Sequence, residues 1–174
     1  MSAGSVRKFQ QSLARLDTAS TVVSPDEFET ELEGIIETPA VGADLSFDDL
    51  TVSNLPVSLE PSPSQLREAV TGVTGSRMGI ASLGTVAVES RSTGDEFVAL
   101  YPEFHVVVVR ESDIRADLSD AFAWLRDEFE AGRRSLILAT GPSSTGDMGA
   151  LVRGVHGPER VHVVIVRDDE WNDE

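Results

Sequence analysis

The chain contains no cysteine among its 174 residues. That absence excludes disulfides, a catalytic thiol, thiolate zinc sites and protein-held iron–sulfur clusters together. Lysine is nearly absent too: Lys8 stands alone, and the other cations are arginines. Lys and Arg number 14 against 30 Asp and Glu, giving a formal net charge of -16 and a pI of about 4.4. So acidic a chain lacks the clustered cations that nucleic acid or an anionic membrane surface requires. The carboxylates decorate every segment, which reads as a solubility coat for a high-salt cytoplasm, as in a halophilic archaeon, where screening offsets self-repulsion. The three histidines, His105, His156 and His162, are too scattered for a local metal motif, so neither a metal nor another cofactor is expected. Long apolar runs are missing as well. The longest, residues 104–109, is far short of the ~20 residues of a spanning helix. Residues 1–8 have no apolar run behind them, which argues against a signal peptide. A soluble, cytoplasmic protein is expected.

The length fits a single domain that buries well over half of its unfolded surface. Val6, Phe9, Leu13 and Leu16 recur at helical spacing. Ser24-Pro25-Asp26-Glu27 combines a capping Ser, Pro in the first turn and Glu three residues on, opening a helix through Phe28, Leu32, Ile35 and Ile36 that stops at Pro39. Residues 38–59 read as irregular, with at most short strands, and a short helix follows over 64–70. Residues 85–89 read as a strand and 91–96 as a polar turn. The β-branched run at 104–109 marks a strand buried on both faces of a parallel sheet. Residues 117–131 form an amphipathic helix, with Leu118, Ala121, Phe122, Leu125 and Phe129 on one face and Gly132 as its stop. Residues 135–139 and 161–166 read as two more buried strands, and 168–174 as an acidic tail. This order predicts an α/β core on a parallel sheet over 61–174. Residues 1–60 read as N-terminal helices and an irregular segment appended to that core, contributing no strand–helix unit to the sheet.

Three segments are candidates for chemistry. In the first, a buried strand runs into Gly141-Pro142-Ser143-Ser144-Thr145-Gly146-Asp147. Loops at the carboxyl ends of parallel strands line the ligand crevice of open α/β sheets. Backbone N–H groups and hydroxyls there can hold a carboxylate or phosphate, and Asp147 can order the loop or act as an acid/base. The alternative is a plain turn that caps a short helix. In the second, Arg153-Gly154-Val155-His156-Gly157-Pro158, the histidine is either a proton donor or anion ligand, or a residue that shapes the loop. Arg153 is either a guanidinium clamp or a surface cation. In the third, Val73-Thr74-Gly75 through Gly84-Thr85, the glycines suggest close backbone approach, but the pattern is neither GxGxxG nor a Walker loop. His105 and His162 read as satisfied strand histidines, and Glu103, Asp48/Asp49 and Asp168/Asp169 as solvated.

Taken together, these segments resemble the LUD domain family of the lactate utilization protein C (LutC/YkgG) type. The matching residues are Val73-Thr74-Gly75, Ile80-Ala81, Gly84-Thr85, Gly141-Pro142-Ser143, Thr145, Asp147 and Gly154-Val155-His156-Gly157-Pro158, in order over about residues 70–167. The resemblance implies a three-layer α/β/α sandwich on a mainly parallel sheet, like the NagB/RpiA/CoA-transferase class. It also implies a role in oxidising L-lactate to pyruvate beside iron–sulfur and FAD-bearing oxidoreductase subunits, and it is compatible with a homo-oligomer. Candidate contacts to a small carboxylate or phosphate are Thr74, Gly84 and Thr85; Gly141, Ser143, Ser144, Thr145 and Asp147; and Arg153, His156 and Gly157. The sequence departs from the family pattern in three places. Ser82-Leu83 replace Glu-Thr, Ser144 replaces Arg, and Gly149, after Met148, replaces Glu. Two carboxylates and one guanidinium are therefore missing from the expected cleft. The alternatives are a CoA-transferase- or isomerase-like enzyme, with Glu89 as the nearest candidate nucleophile, or a non-catalytic binding or regulatory module.

Overall fold

The computed structural model describes residues 3–92, 94–132, 135–147 and 150–168. The expectations for Thr93 within the polar turn, for Gly149 and for the tail after Asp168 lie outside the described residues. In chain order the elements are α1 (Ala3–Arg15), β1 (Ala19–Val23), α2 (Phe28–Ile35), β2 (Ala40–Gly42), β3 (Val57–Leu59), α3 (Pro63–Glu68), β4 (Thr71–Ser76), β5 (Gly79–Ile80), β6 (Thr85–Glu89), α4 (Asp95–Leu100), β7 (Phe104–Arg110), β8 (Ile114–Arg115), α5 (Leu118–Glu130), β9 (Leu136–Thr140), β10 (Ser144–Asp147), β11 (Ala150–Arg153) and β12 (Arg160–Val166).

The helices start where short polar side chains can satisfy free N–H groups. Ser24 and Glu27 form a capping box ahead of α2, and Ser62 and Gln65 do the same for α3. Asp117 accepts from the backbone N–H groups of Ser119 and Asp120 at 2.9 and 3.2 Å and so opens α5.

The central sheet has six strands in the order β1-β12-β7-β4-β2-β3. Every pairing in it is parallel. β7 and β12 lie side by side in its interior, and they are apolar on both faces because both faces are covered. On one face Val106, Val108, Val164 and Val166 pack on Phe28 and Leu32 of α2 and on Leu45, Leu50 and Val52. On the other, Val107, Val109, Val163 and Ile165 meet Val6, Phe9 and Leu13 of α1 and Val86 and Val88 of β6. The architecture is thus an α/β fold with a mostly parallel central sheet flanked by helices.

A second sheet, in the order β8-β5-β6-β9, stacks on that latter face. α5 covers its far side, burying Ala121 and Leu125 against Met78, Ile80 and Ala87.

Two sequence expectations need correction. The first sixty residues do supply strands: β1 pairs with β12, and β2 pairs with β4 and β3. Their brevity and mixed polarity hid them; β1 is Ala-Ser-Thr-Val-Val and buries fully only Val23. The segment at 135–139 is also not a buried strand of the parallel sheet. β9 runs antiparallel to β6 in the second sheet and is only partly buried.

Candidate functional site

Between the two sheets, at the amino-terminal ends of β7 and β12, lies a cavity of about 380 Å³. This location corrects the expected crevice at the carboxyl ends of the parallel strands. Because β9 belongs to the second sheet, the loop after it arrives at the opposite end of the central strands. The apolar wall comes from Val86 and Val88 of β6, Ile137 and Ala139 of β9, and Val161 and Val163 of β12. Gly84, Gly141, Ser143, Ser144, His156 and Gly157 also line the cavity.

The two signature loops are joined at its mouth. The Ser143 N–H donates to the Pro158 carbonyl at 2.8 Å, and the Gly154 N–H donates to the Ser143 carbonyl at 3.1 Å. Gly157 has φ of 156°, and a Cβ there would stand 3.0 Å from the Ser143 Cβ, so glycine lets the histidine loop lie directly against the serine loop. No helix follows this turn. β10 and β11 form an antiparallel hairpin, with Ser144 opposite Arg153, Thr145 opposite Val152, and the backbone of Asp147 opposite Ala150.

The remaining candidates lie around this mouth. Arg153 Nη2 stands 2.5 Å from Asp17 Oδ2. Arg153 also lines a shallow depression of about 200 Å³ together with Arg15, Asp17, Thr140, Gly141, Pro142 and Ser144. Thr85 Oγ1 lies 2.7 Å from Thr140 Oγ1, tying β6 to β9. Thr74 sits behind the wall, its Oγ1 2.8 Å from Nε2 of His105. Ser82, the family departure, is half-buried in the turn between β5 and β6. Glu89 is 8% exposed at the end of β6 and ion-paired to Arg77 and Arg91 at 3.7 and 3.8 Å, away from the cavity lining.

His105, read from the sequence as a satisfied strand or surface histidine and not a ligand, is engaged by Thr74 and yet belongs to the cavity. It is 2% exposed and lines the cavity from β7. The available signal was its polarity inside a run otherwise made of valine. Burial lowers its pKa to about 4. The folded chain therefore holds His105 neutral where the unfolded chain begins to protonate it near 6.5. The linked stability is fully present above pH ~6.5 and is lost as the pH falls towards 4, an effect of roughly 3 kcal/mol at ~1.4 kcal/mol per pH unit. His162 lies on the opposite face of the sheet, its Nε2 2.9 Å from Thr21 Oγ1; burial lowers its pKa too, adding in the same direction. Denaturation midpoints of His105→Gln should fall less between pH 7 and pH 4.5 than those of the unaltered chain. Equal falls would exclude the buried imidazole as the cause.

Chemically, the mouth offers hydroxyls and an imidazole, while the wall behind it is apolar. Among the described residues, no carboxylate or guanidinium lines the cavity, and no three metal-ligating side chains cluster. Among those residues, too, no helix is long and apolar enough to cross a membrane.

The family described as LUD domain matches residues 7–166. The chain belongs to the LUD domain family. The match takes in β1 and most of α1, so the LUD domain here includes the segment that the sequence suggested was appended. Lactate utilization protein C of Deinococcus radiodurans is 33% identical over 107 residues, covering 60% of this LUD chain and 50% of that protein. Escherichia coli YkgG, described as uncharacterized, is 30% identical over 109 residues, covering 60% and 47%. The chain thus spans about half the length of the curated relatives it matches. A DUF162 family protein from Deinococcus radiodurans, known from a crystal structure, shares the LUD fold with a TM-score of 0.75, over 95% of this chain and 99% of that one, at 24% identity.

Proposed function

We propose that this LUD protein is an accessory subunit of an L-lactate-oxidising system and binds a small organic anion at the Ser143–His156 mouth. Electron transfer belongs to iron–sulfur and FAD-bearing partners, since a chain without cysteine holds no cluster through thiolates. The observation that carries this reading is the joining of the two signature loops over one cavity, through the Ser143 to Pro158 and Gly154 to Ser143 hydrogen bonds. The names of the lactate utilization protein C relatives supply the pathway. Arg15, beside Ser144, adds positive potential near the mouth, while the charge of Arg153 is met by Asp17. The uncharged wall favours binding over acyl transfer through a glutamyl intermediate, because Glu89 is held between two arginines elsewhere.

Affinity capture of the tagged protein from cells grown on lactate should recover an iron–sulfur oxidoreductase subunit from the cytoplasmic fraction. Recovery without such a partner would count decisively against the accessory role. Incubation with acyl-CoA should leave no covalent adduct, and an adduct at Glu89 would restore the transferase alternative.

A further inference from the structure

The cavity is larger and more apolar than lactate requires. Its volume of about 380 Å³ falls within the ~300–1,000 Å³ range of sites for drug- and cofactor-sized ligands. At roughly 30 Å³ for each water-sized group, that space holds about twelve non-hydrogen atoms. Lactate has six and leaves half of it unfilled. Polarity is divided by depth. Ser144 and His156 are exposed at the mouth and Ser143 is half-buried, whereas Val86, Val88, Val161 and Val163 are buried beneath them. His105 stands among those valines with Nε2 engaged by Thr74 Oγ1 at 2.8 Å. Burial keeps its ring neutral, so it offers an incoming anion no charge. Those valines are already packed, so the apolar surface open to a ligand is that of Ile137 and Ala139, both half-buried, and of Leu100, 39% exposed. A ligand with an apolar body gains there, because each methylene removed from water adds to affinity.

We infer that the site takes an organic anion with an apolar body longer than lactate's methyl group, an acyl or aryl carboxylate of roughly nine to twelve non-hydrogen atoms, with its carboxylate at the Ser143–His156 mouth and its body against Ile137, Ala139 and Leu100. The inference rests on the anion-binding role proposed above for the same mouth. It narrows the ligand class and fixes the ligand's direction. Ile137, two residues farther along β9 from the mouth than Ala139, becomes the residue that sets the permitted length.

The test is calorimetry on the whole chain in high salt with lactate, pyruvate, butyrate, hexanoate, octanoate and 3-phenyllactate. Affinity should rise about fourfold for each added methylene, until the cavity is full. Ile137→Trp narrows the end of the cavity farthest from the mouth and should abolish that gain. If Ile137→Trp does not fold, Ile137→Phe should blunt the gain, and the chain-length series on the unaltered protein still decides. Hexanoate and 3-phenyllactate binding no tighter than lactate overturns this inference alone. A chain-length gain undiminished in the folded Ile137 variant overturns it as well. Failure of every acid to bind overturns the anion-binding reading and this inference with it.

Discussion

Phe9→Ala should lower the stability of the protein by about 3–5 kcal/mol, the range for removing a buried aromatic ring from a core that relaxes only partly. Phe9 is fully buried on α1 and packs in the cluster that joins the central sheet to the second sheet. Its ring also lies 3.2 Å from where a Cβ on Gly79 would stand, so it fills the space over β5 that the glycine leaves. Chemical denaturation of the variant beside the unaltered chain measures the loss. Were α1 merely appended, truncating Phe9 would leave the main transition within about 0.5 kcal/mol of its original position, as substitutions away from the core do.

Gly72→Ala should cost about 3 kcal/mol or more, at or beyond the upper end of ordinary overpacking. A Cβ at this position would stand 2.0 Å from the carbonyl oxygen of Val98 and 3.0 Å from Pro102 Cγ. The first obstacle is backbone, so no rotamer change relieves it, and α4 must retreat from β4. α4 also supplies Ala99 and Leu100 to the cavity, so the same substitution should weaken ligand binding as well as folding. A thermal melt unchanged from the unaltered protein would show that α4 has freedom the packing does not suggest.

The middle of the fold was legible because its residues obey one rule at a time. The β-branched residues at 106–109 and 163–166 have no polar face, and only a strand covered on both sides tolerates that. Asp117 and Ser24 announce helix starts by side-chain chemistry alone. The edges were not legible. β1, β2 and β3 are short, and their place in the sheet comes from partners far along the chain, which local pattern does not record. α5 shows a related limit. Its apolar stripe is real, yet only Ala121 and Leu125 are buried, while Phe122 and Phe129 are 58% and 50% exposed, because the second sheet beneath it is narrow.

At the site, motif spacing picked out Gly84, Gly141, Ser143, Ser144, His156 and Gly157, all of which line the cavity. It could not place them at the amino end of the central strands, because the direction of β9 depends on its pairing with β6. Nor did it separate Thr74, Thr85 and Arg153 from the lining, since each is drawn off by a partner distant in sequence: His105, Thr140 and Asp17.

The pairing of β1 with β12 has a consequence for biosynthesis. Residue 19 finds its neighbour only at residue 162, so β1 leaves the ribosome long before the strand that completes it exists. Throughout translation its edge has no native partner, and α1 has only part of the surface that Phe9 and Leu13 finally occupy. The central sheet therefore closes as a late, long-range event of the slow kind expected for parallel non-local pairing.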